Sequence, residues 1–207
     1  MVATRSQIRK KRLPVKAKDI PPYLIYEVMD GKPIYYEGFK EVLTKEKTFE
    51  EIMGSSRLQT RIIMAIISYI LKNISEEVYE IVTNEFGLHI GQGSNLSGDI
   101  GIYEITQLED SIDEDKYFNI PPKIMIEIDT QANMDYVLDN DYFHKKTQKL
   151  LDFGVEKVIW YYTNSKKVMV AEKDKSWTID DWDKNIKVMP DLNLCLTDLM
   201  AKKGIII

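Results

Sequence analysis

Residues 121–162, PPKIMIEIDTQANMDYVLDNDYFHKKTQKLLDFGVEKVIWYY, contain the pattern that decides the fold. The apolar run KIMIEID (123–129) predicts a buried strand, and VEKVIWYYT (155–163) predicts a second one. Between them, DNDYFHKKTQKLLDF (139–153) has helical periodicity and stops at Gly154, a residue type typical of helix C-termini. A helix that links two buried strands over this length predicts that the strands are parallel neighbours.

Charged side chains interrupt the apolar pattern of this segment. Glu127 and Asp129 share one face of the first strand, because side chains alternate along a strand. On the helix, Lys146 falls inside the apolar arc, Lys149 lies at its edge, and Lys145 faces water. Burial of a charge is costly unless the charge is paired or binds a metal. We therefore expect the functional site where Lys146 faces Glu127 and Asp129.

Two other interpretations of these charges stay open. An isolated lysine at the edge of a core often extends its aliphatic stem across apolar surface, although the nearby carboxylates argue against that here. The three charges could also form a buried ion-pair network with a purely structural role. Such networks are weak stabilisers, so we favour a chemical role.

Two further candidates come from earlier in the chain. Asp99 lies at the start of GDIGIYEI (98–105), a strand that we expect beside the first buried strand. Asp99 and Glu127 together offer hard oxygen ligands, which suit Mg²⁺ or Mn²⁺ better than zinc. Gln59 lies within the apolar arc of a helix in residues 49–74. It is either a satisfied core amide or a side chain that projects into the site.

Composition limits the class of protein. The chain has 207 residues, a formal net charge of −5 and 44% hydrophobic residues, which is typical of a globular domain. The single cysteine, Cys195, excludes an internal disulfide and favours a cytoplasmic location. Because no apolar run approaches the roughly 20 residues that span a bilayer, we expect no membrane contact. The P-loop and dinucleotide-binding motifs are absent, so we expect no nucleotide cofactor.

Charge divides the chain into two predicted parts. Residues 1–20 form a basic arm that we expect to be flexible, and residues 21–207 form a single domain. The arm is either a solvated leader or a contact to nucleic-acid phosphates. The residues assigned to such contacts are Arg9, Lys10, Lys11 and Arg12.

Shorter strands surround the central segment. Asp30-Gly31 between apolar runs predicts an N-terminal β-hairpin. Residues 78–90 and 98–105 predict antiparallel neighbours, and alternating turns and strands after residue 163 predict C-terminal hairpins. The predicted fold class is α/β (α+β), with a mixed central β-sheet flanked by helices and β-hairpin additions at both ends.

The order of these features resembles a known family. The chain carries, in order, a glutamine on its first long helix, then GD, then IEID, then a lysine followed after seven residues by GVEKVIWYYT. This order resembles the Uma-two family, a branch of the PD-(D/E)XK restriction-endonuclease-like nucleases. The resemblance covers about residues 23–200 and implies a restriction-endonuclease-like core.

The resemblance implies a role for each candidate. Asp99 matches the aspartate of the family's PD pair, and Glu127 matches the glutamate of its central strand. Lys146 matches the lysine that the family carries on the following helix, and Gln59 stands where members have a polar residue.

Three features depart from the family pattern. Gly98 replaces the proline of the PD pair, Asp129 stands where the simpler (D/E)XK motif has lysine, and Thr130-Gln131 replaces the Ser-Pro that follows the strand. Asp129 is therefore either a further metal ligand or a residue that orients Lys146.

The resemblance implies a metal-dependent DNA endonuclease. The implied catalytic residues are Asp99, Glu127, Lys146 and Gln59. The implied ligands of Mg²⁺ or Mn²⁺ are Asp99, Glu127 and Asp129, together with the Ile128 carbonyl. The expected partner is DNA, and related nucleases suggest a homodimer. The alternative is a non-catalytic DNA-binding or mobile-element accessory protein with the same fold.

Overall fold

The computed structural model describes residues 19–108, 116–128 and 142–205. Asp129 and the basic residues Arg9, Lys10, Lys11 and Arg12 lie outside these ranges, so the roles predicted for them stay predictions. The same holds for the division into an arm and a single domain.

The secondary structure is numbered in chain order. The strands are β1 (Ile25–Met29), β2 (Lys32–Tyr35), β3 (Tyr79–Gly91), β4 (Ser94–Glu104), β5 (Ile124–Ile128), β6 (Lys157–Tyr162), β7 (Lys167–Glu172), β8 (Thr178–Asp181), β9 (Ile186–Met189) and β10 (Leu192–Leu194). The helices are α1 (Phe39–Leu43), α2 (Arg57–Leu71), α3 (Ile105–Leu108), α4 (Tyr142–Phe153) and α5 (Leu196–Lys202). In the described ranges, no helix has the length and apolarity needed to cross a membrane.

Eight of these strands form one mixed sheet. Their order is β2-β1-β4-β5-β6-β7-β8, and β3 pairs with β4 outside this path. β5 and β6 are parallel, with Ile126 opposite Ile159, and α4 connects them. The predicted mixed α/β fold and its parallel crossover are therefore confirmed. β9 and β10 form a separate antiparallel hairpin.

The predicted N-terminal hairpin is β1 and β2, and it belongs to the main sheet. Asp30 and Gly31 turn the chain with φ values of 52° and 70°, which a tight hairpin turn requires. Val28 of β1 pairs with Asn95 of β4. The hairpin therefore extends the central sheet at one side.

The pairing of other strands with the two edges of β4 determines where the candidate site lies. β3 pairs with β4 along its length, from Glu104 to Ser94. Because a strand has only two hydrogen-bonding edges, β1 and β5 must share the other one. β1 pairs there at Asn95, and β5 pairs from Ile100 to Ile102. The start of β1 and the end of β5 thus approach each other beside residues 96–99.

Each face of the sheet is covered by different elements. Alternation along β5 directs Ile124, Ile126 and Ile128 into a core with α2 and the C-terminal elements. Met125 faces the opposite core, which contains Tyr142 and other residues of α4. Glu127 shares the face of Met125, so the strand directs this carboxylate toward α4.

Packing around Gly98 explains why a glycine precedes Asp99. A Cβ at this position would lie 2.7 Å from Met125 Sδ and 2.9 Å from Phe86 Cε1. Any residue with a side chain, including the proline of the family pattern, would have to displace these neighbours.

We therefore expect Gly98→Ala to destabilise the protein by about 1–3 kcal/mol through overpacking. Gly54→Ala is the matched control, because no atom lies within 4 Å of the added Cβ, and we expect a change below about 0.5 kcal/mol. Denaturant unfolding checks both values. Equal midpoints for the two variants would contradict the packing explanation.

Candidate active site

Lys146 lies at the centre of the candidate site. Its side chain is 0% exposed, and its Nζ lies 2.8 Å from Glu27 Oε1 and 3.0 Å from Glu127 Oε1. The same nitrogen lies 5.5 Å from the ring centroid of Trp160 and 6.0 Å from that of Tyr142. The ammonium group is thus held by two carboxylates and by aromatic faces that attract a cation.

The other two lysines of α4 lie where their positions on the helix predict. Lys145 is exposed, and Lys149 is half-buried at the border of the core. Lys149 Nζ lies 2.5 Å from the exposed carboxylate of Asp30 on the β1–β2 turn. Of these three lysines, Lys146 is the one whose Nζ contacts Glu27 and Glu127.

Glu27 is the site residue that sequence reasoning missed. It lies on β1, is 4% exposed, and accepts hydrogen bonds from Lys146, from Ser97 N and Oγ at 2.9 Å, and from the Tyr142 hydroxyl at 2.7 Å. Its sequence signal is a glutamate inside the otherwise apolar strand IYEVM. Glu127 carries the same signal inside IMIEI.

Asp99 and Gln59 both bind the backbone at the end of β5. Asp99 Oδ2 accepts the Ile128 N–H at 2.7 Å, and Gln59 Nε2 donates to the Ile128 carbonyl at 2.9 Å. Ser56 Oγ caps α2 by accepting the Gln59 N–H at 3.1 Å, which fixes Gln59 in the first turn. Gln59 is therefore both a satisfied buried amide and a residue at the border of the site.

The structure thus brings four predicted residues to one place. Asp99, Glu127, Lys146 and Gln59 meet around the end of β5, and Glu27 joins them from β1. The fifth predicted site residue, Asp129, lies outside the described residues.

Burial makes this cluster electrostatically unusual. It raises the pKa of Glu127 to about 8, although the nearby Lys146 opposes the increase. It also raises the pKa of Asp99 to about 6, while the Ile128 N–H opposes the increase. Burial alone would lower the pKa of Lys146, yet Glu127 and Glu27 hold it well above its usual value of 10.5. Lys146 therefore stays protonated, and its ammonium is a permanent positive charge in the site.

The cluster contains more acid than base. When ionised, the carboxylates of Asp99, Glu127 and Glu27 exceed the single ammonium of Lys146 by two negative charges. Glu127 Oε1 forms an ion pair with Lys146 but no hydrogen bond of good geometry within the described residues. A divalent cation would remove this excess, and the oxygen donors of Asp99 and Glu127 suit Mg²⁺ or Mn²⁺.

The described ranges hold no group of three or more His, Cys, Asp or Glu residues arranged to bind a metal. A cation bound here would therefore have two carboxylates from these ranges and complete its shell with other oxygen ligands, including water. Mg²⁺ commonly binds in this way, because it keeps several of its waters. The donor set thus fits the metal that the family resemblance implies.

The comparisons with known proteins agree with the fold. No family model and no curated protein matches the chain. A solved structure from Anabaena variabilis ATCC 29413, described as a "putative nuclease belonging to DUF820", is similar with a TM-score of 0.60. The two proteins share a fold. The similarity covers 84% of this chain and 89% of that chain at 17% identity, so it is evidence for the architecture alone.

The raised carboxyl pKa values predict that the metal-free protein becomes less stable as pH rises. Between the usual pKa of Glu127, 4.5, and its folded value of about 8, the folded chain binds a proton that the unfolded chain has released. Stability therefore falls with pH across this window. Lys146 does not contribute to the slope, because below its usual pKa of 10.5 it is protonated in both states.

We expect the denaturation midpoint, measured with a chelator present, to fall from about pH 5 to about pH 8. Glu127→Gln keeps the side-chain shape but does not titrate, so its midpoint should fall less. An equal fall in both proteins would show that the pKa of Glu127 is not raised.

Proposed function

We propose that the protein is a metal-dependent endonuclease that hydrolyses phosphodiester bonds in DNA. The observation that carries the proposal is the fully buried Lys146, whose Nζ lies 3.0 Å from Glu127 at the strand end where Asp99 converges. At such a place a metal ion, the carboxylates of Asp99 and Glu127, and a phosphate that gains negative charge could lie next to one another. The shared fold with a protein described as a nuclease is consistent with this assignment.

Asp99 and Glu127 would hold Mg²⁺ or Mn²⁺, and we propose Asp129 as a third ligand. Such an ion would act as a Lewis acid at the scissile phosphate and would make a water molecule easier to ionise. Once Asp99 and Glu127 ionise, negative charge in the cluster exceeds positive charge, and this excess favours cation binding.

The protein itself contributes a permanent positive charge, the Lys146 ammonium, in a site that excludes water. The Lys146 ammonium stabilises negative charge that develops on the phosphate, and burial strengthens this interaction because the local dielectric constant is low. Glu127 and Glu27 keep the ammonium protonated. Gln59 holds the end of β5 through the Ile128 carbonyl, which keeps the neighbouring acids in position.

Basic groups for binding the DNA backbone come from two regions. Arg57 and Arg61 are exposed on the first turns of α2, the end of the helix that carries Gln59. We propose that they contact phosphates together with the basic arm, Arg9, Lys10, Lys11 and Arg12. A homodimer would place two such sites on the two DNA strands. We assign the activity to the cytoplasm.

The second candidate is a non-catalytic DNA-binding or mobile-element accessory protein. One observation favours it: Asp99 Oδ2 and the Ile128 carbonyl already have hydrogen-bond partners within the protein. The cluster would then be a stable polar network that needs no cation. The presence of excess acid beside a buried lysine favours the enzyme instead.

Nicking of supercoiled plasmid with Mg²⁺ or Mn²⁺ tests the proposal. We expect Lys146→Met to lose about 10²–10³-fold in rate, because it removes the charge that stabilises the transition state. Lys145→Met is the matched control, since it removes the adjacent but exposed lysine, and its rate should stay close to that of the wild type. Glu127→Gln should be inactive at the same metal concentration.

DNA binding by the wild type without cleavage under any of these conditions would favour the accessory protein. Equal losses for Lys145→Met and Lys146→Met would show that general charge, and not the buried lysine, controls the rate.

A further inference from the structure

We propose that Glu27 is a positioning residue. It would be the permanent counter-ion that holds Lys146 in place when Glu127 binds the metal ion. The inference deepens the proposed function and rests on it for the role of the metal. The geometric part, that Glu27 anchors Lys146, can be tested without any nuclease activity.

The two carboxylates that contact Lys146 are held very differently. Glu27 Oε1 accepts hydrogen bonds from Lys146 and from both the backbone N–H and the hydroxyl of Ser97, while its Oε2 accepts the Tyr142 hydroxyl. Both oxygens of Glu27 are thus fixed by the protein. Glu127 Oε1 is held by the ion pair with Lys146 alone, among the residues that the structure describes.

The origin of the two carboxylates in the sheet supports this division. Glu27 lies on β1 and Glu127 on β5, the two strands that share one edge of β4. Ser97, on β4 between their pairing positions, binds Glu27 through its own N–H. The sheet therefore ties Glu27 to its backbone and leaves the Glu127 side chain directed toward α4.

Charge balance explains why a second carboxylate is needed. If Glu127 bound a cation, less of its negative charge would compensate Lys146, which is 0% exposed. An ammonium left without a counter-charge in a site that excludes water would be unfavourable, so it would move away from its position. Glu27 prevents this movement, because hydrogen bonds from Ser97 and Tyr142 hold its carboxylate beside Nζ, at 2.8 Å, independently of Glu127.

The chain provides a matched control for this pair. Asp30 and Lys149 form a second ion pair between the β1–β2 hairpin and α4, each three residues further along the sequence than Glu27 and Lys146. Their side chains are 66% and 26% exposed, whereas those of Glu27 and Lys146 are 1% and 0% exposed. Asp30→Asn and Glu27→Gln thus remove the same charge from an exposed and a buried pair.

The first experiment is acetylation of lysines in the metal-free protein, followed by mass spectrometry. The peptide that spans Lys145 and Lys146 contains an internal reference, because Lys145 is exposed. We expect Lys146 to be protected in the wild type and in Asp30→Asn. In Glu27→Gln its labelling relative to Lys145 should rise by about tenfold, because a hydrogen bond between charged groups is lost.

Two further variants keep the result decisive. Glu127→Gln should leave Lys146 protected, since Glu27 remains. Glu27→Asp keeps the charge and should preserve most of the protection even if Glu27→Gln does not fold. Unchanged protection in a folded Glu27→Gln protein, or equal loss of protection in Glu127→Gln, would overturn the assignment of Glu27 as the anchor.

The second experiment measures plasmid nicking by the same proteins. We expect Glu27→Gln to lower kcat at least tenfold with little change in KM, and Asp30→Asn to keep both values. A change in KM alone would assign Glu27 to DNA binding and overturn the positioning role. Absence of cleavage in the wild type would remove the proposed function, while the labelling result would still decide whether Glu27 anchors Lys146.

Discussion

The full burial of one lysine ammonium is the constraint on which the site depends. A charge removed from water needs counter-charges and hydrogen-bond acceptors nearby. The protein supplies them as Glu27 and Glu127, and it places the rings of Tyr142 and Trp160 at 6.0 and 5.5 Å from Nζ. The cluster that fixes the ammonium contains the three carboxyl groups of Glu27, Glu127 and Asp99, so it has surplus negative charge once these groups ionise. The site is therefore suited to binding a divalent cation.

The sheet makes this arrangement possible by giving one edge of β4 to two strands. β1 and β5 each occupy part of that edge, and Ser97 and Asp99 lie between their pairing positions. Ser97 donates its backbone N–H to the side chain of Glu27 on β1, and the side chain of Asp99 accepts the backbone N–H of Ile128 on β5. Where the strand pairing along this edge of β4 is interrupted, hydrogen bonds from β4 therefore position the charged groups.

Much of this could be predicted from local sequence. The apolar runs around Glu127 and the helical periodicity around Lys146 give the parallel crossover and the facing of both side chains, since strand and helix periods are local properties. The role of Glu27 depends on the pairing of β1 with β4, across 67 residues between Val28 and Asn95. Such a register is set by tertiary packing, which composition and periodicity do not encode.

The hydrogen-bond partners of Asp99 and of the Ile128 carbonyl could not be predicted from the sequence for the same reason. Each joins elements that are far apart along the chain, so residue type alone gives no sign of them. The Ser56 cap on α2, by contrast, was accessible, because the capping residue and its N–H partner are separated by three positions. Local interactions were predictable, and the long-range polar contacts that complete the site were not.

The surplus of acid around Lys146 leads to the central proposal, that Asp99 and Glu127 would bind a divalent cation beside the ammonium. A crystal structure with Mn²⁺, with an anomalous difference map calculated at the manganese edge, tests it most directly. We expect a single strong peak between the carboxylates of Asp99 and Glu127, with Lys146 still bound to Glu27. A map without a peak there at saturating Mn²⁺ would contradict the claim.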